Sequence, residues 1–239
     1  MDSARYDWVL LDADGTLFDF DRAQRAALES TAIAHGLGYS DTVHEAFVRV
    51  CDRVWGRFER GEISADRLRV ERFEDLLREI GAVGDPERLS EKYVRMLAGH
   101  ADLLPDAEAT VDTLARRVRL LLVTNGLAEV QRARFAASPI RRFFADAVIS
   151  DEIGIAKPQT GFLDVAFDRM GGPARDRVLM VGDSLSADVE AGVRYGIDTC
   201  WFNPHGRPLD GGPTPTYTIA RLVEIEAIVS GRREADPRP

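Results

Sequence analysis

What this 239-residue chain has little of narrows the field first. It holds two cysteines, Cys51 and Cys200, far apart and in no metal-ligand spacing. That excludes a disulfide framework or a thiolate zinc site and leaves two reduced, buried thiols. The four histidines, His35, His44, His100 and His205, show no ligand spacing either. Basic residues are in deficit: 31 Lys+Arg against 40 Asp+Glu give a net charge of -9. Such a balance is a poor basis for clamping nucleic-acid backbones. No apolar run approaches the ~18 residues of a membrane span. Residues 1–7 lack a basic segment leading into an apolar core, so no secretory signal is expected. The expectation is a soluble, cytoplasmic protein without nucleic-acid or membrane partners. No internal repeat is visible, and 45% hydrophobic content suffices for a sizeable core.

What is present begins at Trp8-Val-Leu-Leu11, a short apolar run that stops at Asp12-Ala-Asp14-Gly15-Thr16. Four consecutive apolar residues suit a strand covered on both faces. Ligands of open α/β sheets bind at the C-terminal ends of strands. Two carboxylates crowded there repel unless a cation or a shared proton intervenes. Alone, Asp-x-Asp-Gly is equally a tight turn.

Residues 19–101 read as helices throughout. Arg22 to His35 ends at Gly36, and Asp41 to Arg60 carries Val43, Phe47, Val50, Val54 and Phe58 at three- and four-residue steps. Ser64 caps a third helix, and Asp85-Pro86 opens a fourth. Four amphipathic helices in a row predict a small bundle. From Leu104 the texture alternates between strand and helix. Strands are expected at Arg119–Val123, Ala147–Ile149, Val178–Val181 and Thr199–Phe202, with helices between them. The Pro- and Gly-rich segment Asn203–Thr216 reads as a loop, Leu222–Val229 as a helix and Gly231–Pro239 as a frayed tail. The fold class is therefore α/β: a doubly wound, parallel, five-stranded core from residues 1–18 and 102–239, with a helical cap domain from 19–101.

Polar residues recur at the ends of four successive strands: Asp12 and Asp14, Thr124 and Asn125, Lys157, and Asp183. Each has an ordinary reading as a turn, a surface lysine or a helix cap. In register on one sheet edge, they converge.

This set resembles the haloacid-dehalogenase-like hydrolase superfamily, helical-cap subgroup. Its four motifs match in order as Asp12-x-Asp14-Gly15-Thr16, Thr124, Lys157-Pro158 and Gly182-Asp183-x-x-x-x-Asp188. The resemblance implies that Asp12 is the nucleophile of an aspartyl-phosphate intermediate and that Asp14 carries protons to and from the reacting oxygens. It implies Mg2+ held by Asp12, the backbone carbonyl of Asp14, and Asp183. Thr124, Asn125 and Lys157 would hold the phosphoryl group, and Asp188 would orient Lys157 or a metal-bound water. Asp14 favours phosphate-ester chemistry over dehalogenation, since an alcohol leaving group needs a proton. Further likeness lies in Leu122-Val-Thr124-Asn-Gly126, Val148-Ile-Ser150, Gly154-x-Ala156-Lys157-Pro158 and Thr199-Cys-Trp201-Phe-Asn203. These are similar to the bacterial house-cleaning pyrimidine nucleotidases, although Gly15 stands where that group carries Glu. The implied substrate is a small phosphorylated metabolite, foremost a nucleoside 5′-monophosphate. Phosphoglycolate or sugar-phosphate hydrolysis, phosphosugar mutation and a catalytically inactive binding domain are the alternatives. Trp55, Phe58 and Phe73 have the helical spacing of core packing, with nucleobase stacking as the other use.

Overall fold

A computed structural model describes residues 4–236. At its centre is one all-parallel sheet built from β1 (Trp8–Leu11), β2 (Arg119–Thr124), β3 (Phe144–Ile149), β4 (Val178–Gly182), β5 (Asp198–Phe202) and β6 (Tyr217–Ile219). The strand order is β3-β2-β1-β4-β5-β6. The five expected strands are all present, and the sheet gains a sixth. Tyr217-Thr-Ile219 is too short to show a period after the Pro- and Gly-rich loop, yet it pairs in parallel with Cys200 to Phe202.

The pleat explains why the strands are apolar at every position. Val9, Leu11, Leu120, Leu122, Leu179 and Val181 face one side, against helices α5 (Ala107–Ala115) and α10 (Ile225–Val229). Trp8, Leu10, Leu121, Val123 and Met180 face the other, against α8 (Thr160–Met170) and α9 (Glu190–Tyr195). Each such side chain contributes about 1.5–3 kcal/mol by leaving water, and a shift of one residue would exchange the two faces. Register therefore fixes which residues meet at the C-terminal edge: Leu11 lies level with Leu122 and Val181. Strand order reverses between β1 and β4, which opens a crevice at the ends of those two strands.

Between β1 and β2 run α1 (Phe20–Ala34), α2 (Asp41–Glu59), α3 (Ala65–Ile80) and α4 (Pro86–Ala98). Ser40, Ser64 and Asp85 cap the last three by accepting from backbone N–H groups of the first turn. Phe47, Val50, Phe73, Leu76, Tyr93 and Leu97 form their common core, joined by Leu127 and by Val130 of α6 (Ala128–Ala137). The chain enters and leaves this insertion through two segments that pair with one another. Asp19 N donates to Asp102 O at 3.0 Å, and Leu104 N donates to Leu17 O at 2.8 Å.

The carboxy-terminal segment is tied where a frayed tail was expected. Asp236 accepts from Thr218 N at 2.6 Å, and its own N–H donates to Thr216 O at 2.9 Å. These bonds occupy the open edge of β6. The last three residues of the expected tail, and the first three of the chain, lie outside the described residues. No helix among those described is long and apolar enough to cross a membrane.

Candidate active site

Lys157 is the hub of the crevice. Its side chain is 1% exposed, and its ammonium donates to Asp12 Oδ1 at 2.7 Å, Asp188 Oδ1 at 2.6 Å and the Val123 carbonyl at 2.8 Å. All three ammonium hydrogens are thus used. Burial works against the charged lysine, but the Asp12 and Asp188 carboxylates outweigh it and hold the pKa above the ordinary value. Asp12 extends β1, donating its own N–H to Val181 O at 3.0 Å. Burial pushes its carboxyl well up, against the pull of Lys157. Asp188 lies in a single wide turn, Leu185–Val189, that precedes α9. Its second oxygen accepts from Ser184 N at 3.1 Å, so the residue is fixed at both ends. Gly182 makes this possible: a Cβ there would sit 2.1 Å from Asp188 Oδ2.

Asp183 follows at the end of β4. Burial, then the neighbouring Asp188, pushes its carboxyl up to about 7. Carboxylate oxygens of Asp12, Asp183 and Asp188 all lie within 4.8 Å of one another. Lys157 and the more distant Arg207, 3.9 Å from Asp183, leave three such groups short of balance, and hard oxygen donors at this density fit a small divalent cation. Asp188 spends both oxygens on Lys157 and Ser184, which leaves Asp12 and Asp183 as the carboxylates freest to ligate. Gly15 has φ +78°, and a Cβ on it would stand 2.8 Å from Asp183 Oδ2. A side chain at position 15 therefore requires Asp183 to move.

Thr124 and Asn125 end β2 in different ways. Thr124 is 1% exposed and its hydroxyl has no partner, a donor left over in a buried place. The Asn125 side chain is already engaged: Oδ1 accepts from Lys157 N at 2.8 Å and Nδ2 donates to Lys157 O at 2.8 Å. It clamps the Lys157 backbone. Asn125 Nδ2 also reaches Glu59 Oε1 at 3.2 Å, at the end of α2, whose carboxyl burial raises.

Asp14 is held by partners of its own. Its Oδ1 takes the Nη1 of Arg134 and its Oδ2 takes Gln131 Nε2 at 2.6 Å. Sequence reading missed Gln131 and Arg134, yet a signal was there. Positions 127, 130, 131, 134 and 135 form the inward face of α6, and two of those five are polar.

A groove of about 580 Å³ adjoins the cluster, lined among others by Gly15, Asp19, Phe20, Asp52, Asp183 and Arg207. That is within the ~300–1,000 Å³ usual for small-molecule sites. Trp55 and Phe58 pack edge to face at 5.5 Å, and Phe73 packs on Phe47 and Tyr93. Phe73 lies inside the helical insertion, and Trp55 and Phe58 pack half-buried against that core. The two cysteines are free and buried, as expected.

Comparison with known proteins agrees with this geometry. Pyrimidine 5′-nucleotidase YjjG of Escherichia coli is 31% identical over 225 residues, covering 94% of this chain and 98% of that one. Pyrimidine 5′-nucleotidase PynA of Streptococcus pneumoniae is 32% identical over 215 residues, covering 90% and 91%. The magnesium-bound crystal structure of the putative HAD-hydrolase YfnB from Bacillus subtilis, described as revealing interdomain movement, superposes with a TM-score of 0.88 at 32% identity. It covers 94% of this chain and 99% of that one. The haloacid dehalogenase-like hydrolase model matches residues 6–196, and the chain belongs to that family.

Proposed function

We propose that the protein is a magnesium-dependent phosphomonoester hydrolase whose foremost substrates are nucleoside 5′-monophosphates, with residues 19–101 acting as its cap domain. The observation that carries the reading is the convergence of Asp12, Asp183 and Asp188 around Lys157, beside the unpartnered Thr124 hydroxyl. Substrate choice is supported by the two nucleotidases that resemble the chain over nine-tenths of its length.

In this reading an oxygen of Asp12 attacks phosphorus as the ester P–O bond breaks, and a proton on Asp14 passes to the departing alcohol oxygen. Water then attacks the aspartyl-phosphate, Asp14 takes its proton, and Asp12 leaves as phosphate is freed. Lys157, turning to the phosphoryl group the hydrogen it gives Asp12, and the Thr124 hydroxyl hold phosphoryl oxygens, and Asp188 keeps Lys157 in place. Asp12, the Asp14 carbonyl and Asp183 would hold Mg2+, which supplies charge neutralisation where an anionic nucleophile meets an anionic phosphate. Asn125 acts through its clamp on the Lys157 backbone. The cap, docked by Glu59 and Arg69, covers the site and contacts the leaving group. The setting is the cytoplasm, with a free metabolite as substrate.

The test is turnover by purified protein with magnesium across pyrimidine and purine nucleoside monophosphates, phosphoglycolate, sugar phosphates and p-nitrophenyl phosphate. Pyrimidine nucleotides should lead. A strong preference for phosphoglycolate or a sugar phosphate would end the nucleotidase reading, and silence across the panel would leave a binding domain. Asp12→Asn should keep its fold and lose turnover of every substrate; normal hydrolysis by that variant would refute Asp12 as nucleophile.

A further inference from the structure

Arg134 is the largest fully buried side chain among the described residues, with no exposed surface. A guanidinium stripped of its water, at a cost of several kcal/mol, needs partners for its donors. Here two of its three nitrogens have them, while Nη2 has none among the described residues. Nη1 donates to Asp14 Oδ1, Nε donates to the His100 carbonyl at 2.7 Å, and the plane lies 4.7 Å from the centre of the Phe18 ring. Phe18 and His100 belong to the two segments that join the helical insertion to the sheet. The second oxygen of Asp14 is taken by Gln131 Nε2, one turn earlier on the same helix. Gly126 leaves room for that reach, since a Cβ there would stand 2.5 Å from Gln131 Nε2.

We propose that Arg134, seconded by Gln131, is a positioning residue for Asp14, holding its carboxylate where it can serve the leaving oxygen. This rests on the proposed role of Asp14 as proton carrier. A free Asp side chain turns about two torsions. One gripped at both oxygens from a rigid helix is confined, and proton transfer is sensitive to ångström-scale misplacement. The grip also joins Asp14 to the His100 carbonyl, so the proton carrier and a connection to the helical insertion share one side chain.

The role predicts a dependence on the leaving group that simple loosening of the fold does not. A ribose 5′-oxygen must be protonated as it departs, whereas p-nitrophenolate leaves unaided. The quantity to compare is kcat/KM, which reports the first displacement alone when that step is irreversible. Asp14→Asn should lower it by about 10²–10⁴ for uridine 5′-monophosphate, the usual worth of general acid help, and much less for p-nitrophenyl phosphate. Arg134→Met should show the same skew, at least about tenfold on the nucleotide and under about threefold on the aryl ester. Arg134→Lys keeps the charge without the planar fork and should fall between. It carries the comparison, together with Gln131→Met, if Arg134→Met does not fold. In the Asp14→Asn background, adding Arg134→Met should slow the nucleotide reaction no further. Equal losses on both esters, or an additive double variant, would overturn the proposal. Absence of skew in Asp14→Asn itself would remove the proton-carrier reading and this inference with it. A skewed Asp14→Asn beside unskewed Arg134 variants would sink the inference alone.

Discussion

Two polar clusters flank the end of β1, and they are built in opposite ways. The first joins Lys157 to Asp12 and Asp188 among residues anchored by the sheet, under strands whose register leaves no freedom. Its charges are unbalanced: two carboxylates share the Lys157 ammonium, and among the described residues Asp183 has only Arg207 at 3.9 Å. The second joins Asp14 to Gln131 and Arg134 of α6 and, across the boundary between the helical insertion and the sheet, Arg134 to the His100 carbonyl and Glu59 to Asn125. Further out, Arg69 of α3 pairs with Glu129 and, at 3.2 Å, Asp151. Strand register holds the first cluster, and α6 holds Asp14 in the second. The contacts of Glu59 and Arg69 instead lie between the insertion and the sheet, on side chains that are partly exposed.

Breaking the first cluster should produce the largest effects. Lys157→Met leaves Asp12 facing Asp188 in a buried site; turnover should fall about 10³-fold or more. Stability should drop by about 3–5 kcal/mol in urea, as when one partner of a buried pair is removed. Adding Asp12→Asn to that variant should restore part of the stability, and a further loss would contradict the like-charge account. Magnesium comes next. Chelation with EDTA should stop turnover reversibly. At 100 times its Kd the ion should stabilise the wild-type protein by about 2.7 kcal/mol, seen as a rise in Tm that Asp183→Asn abolishes. A magnesium-induced rise that survives in Asp183→Asn would place the ion elsewhere.

Gly182→Ala separates positioning from charge. Its methyl would displace the Asp188 carboxylate without altering any ionisable group, and turnover should fall about 10–100-fold, as when outer-shell support is lost. An unchanged rate would mean that Asp188 does not need its present place. The smallest effect belongs to the second cluster. Arg69→Ala should cost about 1 kcal/mol of stability, since ion pairs still reached by solvent contribute little. Its expected signature is a few-fold rise in KM with kcat held, and a large loss of kcat would show that this contact is not merely part of the docking surface.

Much of the first cluster could be read from the sequence because each member stands at or just beyond the end of an apolar run. Asp12, Thr124 and Asp183 directly end β1, β2 and β4, and a parallel sheet brings such ends together whatever their separation in the chain. The second cluster gives no such cue. Arg134 lies 120 residues from Asp14, and a polar residue on a helix ordinarily faces water. Only the phase of α6, with Gln131 and Arg134 on the face of Val130 and Phe135, marked them as inward. Asn125 shows the limit of motif reading: its place was legible, but its side chain holds the Lys157 backbone. Tyr217–Ile219 and the Asp236 contact stayed hidden because a three-residue strand and a tail carboxylate carry no periodic pattern.

The pairing of Leu17 and Asp19 with Leu104 and Asp102 has a consequence beyond the site. It brings the two ends of a long insertion to neighbouring positions, so the sheet experiences the insertion as a closed loop. Loop-closure entropy grows only logarithmically, with each doubling of length costing about 0.6 kcal/mol. The sheet is therefore nearly indifferent to how much chain is hung there. Descent can lengthen, shorten or replace the insertion while β1 keeps its partners, which lets new substrates be tried without rebuilding the phosphate chemistry. The same property makes the junction a natural place for grafting an insertion from one relative onto another.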